Sequence, residues 1–291
     1  MVVDMAQFTL IKELQGIIGK IGLLMLIIFM SLNSVYSQVS DTAVMRVHYT
    51  SYSKKYSDTK RNTKDWNCLD IGQSTSRFYS MNAWLLDSTK NVLVSAGLSP
   101  EEVFLKTRNM NQGNEDVIAK DYANSSIGFL SRILAQDYFY QEPLEMADWN
   151  LENDTLTILD YKCYKAQKKF RGRTWVVWYA PDIPSMDGPW KLAGLPGLIL
   201  KAQDSTGDFS FECDGIELLN KKVVIEYPSN LKNARIIKTD GKTYLQIKRK
   251  SVEDLKSSIA ARGYTIVSVT DENGVEADIP KRKMNSIEEY D

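Results

Sequence analysis

One histidine, His48, in a chain of 291 residues sets the first limit on chemistry. Ser-His-Asp and Cys-His machinery needs an imidazole base, and multi-histidine metal sites need several, so these classes lose their ground. His48 itself alternates within a strand-like run and reads as structural. Gly72-Gln73-Ser74-Thr75-Ser76 lacks the closing glycine of a nucleophile elbow. Gly241-Lys242-Thr243 ends like a P-loop, but Ile236 stands where the first glycine belongs, and the segment reads as a hairpin rather than a helix start. Ser51-Tyr52-Ser53-Lys54 has the SxxK spacing without its companion motifs. No metal ligand set, cofactor site or catalytic constellation is expected.

What remains is binding chemistry. Arg171 and Arg173 flank Gly172 at a predicted hairpin tip and form a candidate bidentate anion site, although charges at such tips are usually solvated. Trp175, Trp178 and Trp190, with Tyr179, crowd one segment and are candidates to line an apolar cavity; the competing reading is a packed core. Trp175 and Trp178 have opposite strand parity, so at least one must face away from whatever the other lines. Asp182, Asp187 and Asp204 surround the same segment, where turn and cap roles suit them. A pair of acids about 5 to 9.5 Å apart is the alternative, hydrolytic reading. Cys68, Cys163 and Cys213 contain no CxxC pair. In an oxidising compartment one disulfide is expected, with Cys163 and Cys213 favoured because both alternate inward on strand-like runs that can neighbour in a sheet. Free buried thiols are the alternative.

The elements that must position these residues are mostly strands. His48 lies in a β-branched and aromatic run at 44–49. A long hairpin is predicted from 157–169 through Phe170-Arg171-Gly172-Arg173 to 174–180, with Leu159, Tyr161 and Cys163 on one face. A second runs from 198–202, turns at Asp204-Ser205-Thr206-Gly207-Asp208 and returns through Phe209, Phe211 and Cys213. A third is predicted around Asp240-Gly241. Helices start at Ser99-Pro100-Glu101-Glu102, a capping box with proline in the first turn, and at Ser251, the latter ending at Gly263. A last strand is expected at 264–270 and a loosely ordered polar tail at 281–291. The fold class is therefore mainly β (α+β): a curved antiparallel sheet or open half-barrel built from hairpins, with a few helices packed on it.

Residues 1–37 read as a secretory signal, with Lys12 and Lys20 ahead of an apolar run and cleavage before Gln38. The run from Ile21 to Met30 is roughly ten residues, against the ~20 a spanning helix needs, so no transmembrane span is expected after processing. No cysteine near that point supports a lipid anchor. Residues 38–280 read as one domain. Basic and acidic residues nearly cancel at 36 and 37, which removes the clustered positive excess that nucleic-acid binding requires.

The most specific stretch is Gly188-Pro189-Trp190-Lys191-Leu192-Ala193-Gly194-Leu195-Pro196-Gly197-Leu198-Ile199. It resembles the signature of the GLPGLI family of exported bacterial proteins. Tyr161-Lys162-Cys163-Tyr164-Lys165-Ala166, Phe170-Arg171-Gly172-Arg173 and Trp178-Tyr179-Ala180-Pro181 continue the resemblance, with Asp160 standing where glycine is expected. The resemblance implies an exported protein of the Bacteroidota type, periplasmic or envelope-associated, with no catalytic residues to transfer. In outline the predicted fold is also similar to lipoprotein carriers of the LolA kind. Physically, Gly188-Pro189 and Pro196-Gly197 suit tight turns, and Leu198-Ile199 enters the core, so the motif reads as architecture. The leading expectation is non-enzymatic binding of an apolar or lipid-like ligand or an extended peptide. A carboxylate-dependent hydrolase of envelope polymers and an accessory subunit partnering an outer-membrane assembly are the alternatives.

Overall fold

A computed structural model describes residues 40–59, 62–227, 235–263, 265, 266, 269, 278, 279 and 281–290. The signal segment lies outside them, as does most of the expected strand at 264–270. Two-residue turns set the local plan. Arg171 and Gly172 both take positive φ, 49° and 75°, the twist that joins antiparallel strands tightly. They link β8 (Tyr161–Phe170) to β9 (Arg173–Ala180). The reversal at 205–208 links β10 (Leu198–Asp204) to β11 (Phe209–Glu226), so both predicted hairpins are present.

The sequence reading of 157–169 as one strand is corrected by a further turn. Leu159 and Asp160 have φ of 49° and 67°, and the chain reverses there from β7 (Asn150–Ile158) into β8. Glycine suits the left-handed position, and aspartate is among the few other residues that tolerate it, which accounts for Asp160.

Six more strands, β1 (Ser40–Ser53), β2 (Thr63–Ile71), β3 (Thr75–Ser80), β4 (Val117–Asp121), β5 (Ser126–Ile133) and β6 (Gln136–Pro143), precede these, and β12 (Ile237–Lys238) follows. All belong to one open sheet, ordered β12-β6-β5-β4-β3-β2-β1-β11-β10-β9-β8-β7. Every pairing is antiparallel except β12 with β6. The expected mainly β, open architecture is what the chain adopts. β1 lies between β2 and β11, and its alternation puts Val47 and Tyr49 in the core with His48 half-exposed on the other side.

Four helices are described. The capping box is present at α2 (Pro100–Thr107), where Ser99 and Glu102 satisfy each other's backbone N–H groups. The sequence reading missed α1 (Met81–Ser95), whose apolar residues lie all around it, without an amphipathic stripe. The third predicted hairpin is corrected to a helix, α3 (Gly241–Glu253). Asp240 is not a hairpin turn residue but the N-cap, accepting the Thr243 N–H at 2.8 Å. The motif Gly241-Lys242-Thr243 thus does open a helix, though Ile236 still breaks the P-loop pattern. Ser251 sits inside α3, and Asp254 caps the short α4 (Leu255–Ala260) instead. No described helix is long and apolar enough to cross a membrane.

The polar tail is not loose. Ser286 and Glu288 are buried, and 283–290 crosses the core face of the sheet between the turn at Gly172 and the start of α3. Glu288 meets Lys191 of the loop between β9 and β10, a pairing that composition alone did not reveal.

Candidate functional site

The loop from Asp187 to Leu198 is held by two buried lysines. Lys120 on β4 has a fully enclosed side chain whose Nζ lies 2.5 Å from Asp187 Oδ1 and donates to the carbonyls of Gly188 at 2.6 Å and Leu192 at 3.0 Å. Three protons therefore meet three acceptors, and the ammonium closes both ends of the 188–192 turn. Burial pulls its pKa down, against the raising charge of Asp187. Lys191, inside that turn, points the other way. It pairs with Glu142 at 2.8 Å and with Glu288, and touches the hydroxyls of Tyr140 at 2.8 Å and Tyr290 at 3.2 Å. Between the two lysines, Trp190 has φ of 54°, a left-handed conformation that costs a bulky residue roughly 1–3 kcal/mol. Its ring is fixed by Trp175 at 5.4 Å and Phe170 at 5.6 Å.

These placements sort the sequence candidates. Trp175 is fully buried against Trp190 and Phe211, so the core reading applies to it. Trp178 is half-buried on the opposite face, beside Val176, Lys201 and Gln203. Of the three tryptophans, Trp190 lines the cavity between the sheet, α3 and the tail. Arg171 lies 3.2 Å from both Glu142 and Glu145 and stacks on Phe170 and Tyr290. Arg173 pairs with Asp204 at 2.6 Å and donates to Asn285 Oδ1 at 2.8 Å and the Ser286 carbonyl at 2.9 Å. Both guanidiniums are engaged within the chain, and they hold residues 285–290 rather than facing the cavity. Cys163 and Cys213 are free buried thiols on β8 and β11, strands separated in the sheet by β9 and β10. The adjacency expected of them is therefore absent. Cys68 is also free and buried.

A cavity of about 190 Å³ opens between the sheet, α3 and residues 284–287. Phe78, Ile118, Trp190, Phe209, Phe211 and Ile287 give it apolar walls, and Lys55, Asp65, Asp116 and Lys248 supply its charges. Trp190 is the member of this set that the sequence pointed to; the others lie on four strands, a helix, a loop and the tail, with no shared motif. Asp65 is fully bonded: Oδ1 accepts from Ser80 at 3.0 Å and Asn82 at 2.8 Å, and Oδ2 from the Asn114 N–H at 2.8 Å. At Asp116 burial pushes the pKa up, but the Lys248 ammonium and hydrogen bonds from Ser131 and Asn114 outweigh it and hold the carboxyl below its usual range. A general acid needs the opposite shift. Asp116 is therefore an anchored carboxylate rather than a proton donor, and Asp65 is tied into the fold by its hydrogen bonds. No cluster of His, Cys, Asp and Glu able to hold a metal ion occurs among the described residues.

The Asp116 environment has a measurable consequence. A carboxyl with a depressed folded pKa contributes stability above its unfolded value, about 3.9, and loses it as pH falls through the lower folded value. Asp116→Asn is expected to lower stability at pH 7 by about 1–3 kcal/mol. The gap from wild type should close on acidification below about pH 4. Urea midpoints between pH 7 and 3 check this, and a gap that widens with acid would refute it.

No curated protein matches the sequence. Two solved structures of PNGF-II are similar to 73% of the chain, at 16% and 15% identity with TM-scores of 0.46 and 0.47. The match covers 34% and 33% of those chains, so this chain spans about a third of their length. The crystal structure of the LolA superfamily protein NE2245 from Nitrosomonas europaea is similar over 64% of this chain and 89% of its own, at 9% identity and a TM-score of 0.25. The stretch that carries the lysine-anchored loop has the clearest affiliation: residues 167–201 match the family model described as "Protein of unknown function (Porph_ging)", the GLPGLI-type family.

Proposed function

We propose that this chain is a non-enzymatic binding protein of the cell envelope, and that the cavity beside Trp190 receives an apolar group of its ligand. The observation that carries the reading is an aromatic-walled cavity whose two acids, Asp65 and Asp116, are tied into the fold by hydrogen bonds and the Lys248 ammonium. Its volume of about 190 Å³ compares with the ~150 Å³ apolar cavity that takes up benzene. One aromatic ring or branched aliphatic group fits, and a whole lipid does not. The envelope location rests on the signal-like residues 1–37 and the family resemblance.

Toluene is the simplest probe. A saturable shift of the Ile118 and Ile287 methyl resonances is expected on titration. Val252, half-buried on α3, also lines the cavity. Val252→Trp should fill it from the rim and weaken toluene binding by about tenfold, or 1.4 kcal/mol, with the melting temperature unchanged. Absence of saturation in wild type, or undiminished affinity in the variant, would reject the cavity as the binding site.

A further inference from the structure

The segment 283–290 is received by a groove that reads main chain as well as side chains. Ser57 donates its N–H to the Lys283 carbonyl at 3.0 Å, and the Asn285 N–H returns to Lys55 at 2.9 Å, making an antiparallel bridge between Tyr56 and Met284. Farther on, Arg173 donates to the Ser286 carbonyl, and the Glu289 N–H reaches the Arg171 carbonyl at 3.0 Å. Three side chains add specificity. The Asn285 amide donates to the Lys54 carbonyl at 2.8 Å and to Asp208 at 3.0 Å while accepting from Arg173. Ile287 packs on the core and walls the cavity. Glu288 enters the pocket of Lys191 and Tyr140.

Two glycines are recessed for the same segment. A Cβ on Gly172 would stand 2.8 Å from Glu289 Cβ, and one on Gly241 would stand 2.3 Å from the Tyr290 hydroxyl. Backbone pairing that supplies affinity, with pockets for particular side chains, is how grooves take up extended peptides. We propose that this groove is a peptide-recognition site occupied in cis by 283–290, and that it accepts in exchange an extended peptide of the same pattern. That pattern is a side-chain amide, then an apolar residue two positions on, then a carboxylate. The inference rests on the binding reading above and names its ligand class, because such a peptide carries the apolar group that walls the cavity.

A tethered segment competes at an effective concentration on the order of millimolar, so exchange in the wild type is suppressed and becomes visible when the cis segment is weakened. The probe is a fluorescein-labelled peptide with the sequence of residues 281–290, followed by anisotropy against full-length protein. The full-length double variant Ile287→Ala/Glu288→Gln keeps every groove residue, and it should bind the peptide at least about tenfold more tightly than wild type. A peptide carrying the same two substitutions should bind neither. A variant that binds no better than wild type overturns the proposal, as does displacement of the peptide by decanoate alone, which would assign the groove to lipid. Hydrogen exchange of unmodified wild type provides a second reading independent of any variant. The Asn285 and Glu289 amides should exchange at least about a hundredfold faster than the β1 and β2 amides, through local opening. Exchange of both only by global unfolding overturns the proposal. Toluene binding without peptide exchange sinks this inference and leaves the cavity reading standing; peptide exchange without toluene binding does the reverse.

Discussion

Replacing Lys191 by methionine is expected to lower the unfolding free energy by about 3–5 kcal/mol, the range found when one partner of a buried ion pair is removed. The size follows from what stays behind. Glu142 and Glu288 both direct carboxylates at a Nζ with no solvent exposure, and they are themselves nearly enclosed. Without the ammonium, Glu288 keeps only the hydroxyls of Tyr140 and Tyr290 and lies beside Glu142, whose remaining cation is Arg171 at 3.2 Å, so the Glu288 charge is left buried and unpaired. Methionine has a similar volume, so packing loss is a small part of the effect. Lys165 provides the comparison. It also contacts two acids, Glu152 at 2.8 Å and Asp154 at 3.1 Å, but at the surface, where solvent screens the pairs. Lys165→Met should barely move the urea midpoint. Equal effects of the two substitutions would mean that the Lys191 site is hydrated and the argument from burial fails.

Gly194→Ala is expected to be at least as damaging, at about 3 kcal/mol or more, because two separate mechanisms add. Gly194 has φ of 100°, where any side chain is strained. A Cβ there would also lie 2.0 Å from the Met146 carbonyl oxygen, and backbone cannot swing aside as a side chain can. The segment around Met146 is itself fixed, by Trp149 Nε1 donating to the Ala193 carbonyl at 2.9 Å and Lys168 Nζ donating to the Ala147 carbonyl at 2.7 Å. Gly97 isolates the first mechanism. Its φ is 82°, yet a Cβ would meet nothing within 4 Å, so Gly97→Ala should cost only about 1–2 kcal/mol. Thermal denaturation of the two variants side by side checks the difference; a Gly194→Ala protein as stable as Gly97→Ala would show that the loop can move away from Met146.

These two experiments bear on how much of the molecule could be read from sequence. Local chemistry was legible. Arg171-Gly172 and the reversal at 205–208 announce hairpins through residues that tolerate or favour their backbone conformations, and Ser99 with Glu102 announces a helix start. Asp240-Gly241 failed because the same dipeptide serves a hairpin turn and a helix N-terminus, and only the buried apolar positions Tyr244, packed on β5 and β6, and Leu245 settle the choice. Helix α1 lacked the periodic stripe that separates a helix from a strand.

The candidate site was harder to read for a different reason. Lys120 and Lys191 look like ordinary surface lysines, since lysine is rarely fully buried unless paired, and their partners lie 67 and 97 residues away in sequence. The signature's glycines and prolines were legible as shape, and Gly194 and Gly197 are indeed places where backbone of another segment comes too close for a side chain. What the shape is closed around was not legible. The arginines at the hairpin tip were read as a candidate site for an anionic ligand; the anions they meet in the fold are Glu142, Glu145 and Asp204 of the same chain.

The place of β1 at the middle of the sheet has a consequence in time. This strand is made before every other strand of the sheet, yet one of its two ladders waits for β11, whose residues pair with it from far along the chain, Thr50 with Glu212 for example. Neither half of the sheet can be joined to the other until that late strand arrives, and closing so long a loop is slow. During that interval Val47 and Tyr49, which end in the core, remain uncovered on one flank. The chain therefore depends on being kept apart from its neighbours while it is made, and a pause or truncation upstream of β11 should yield aggregate rather than a smaller folded half.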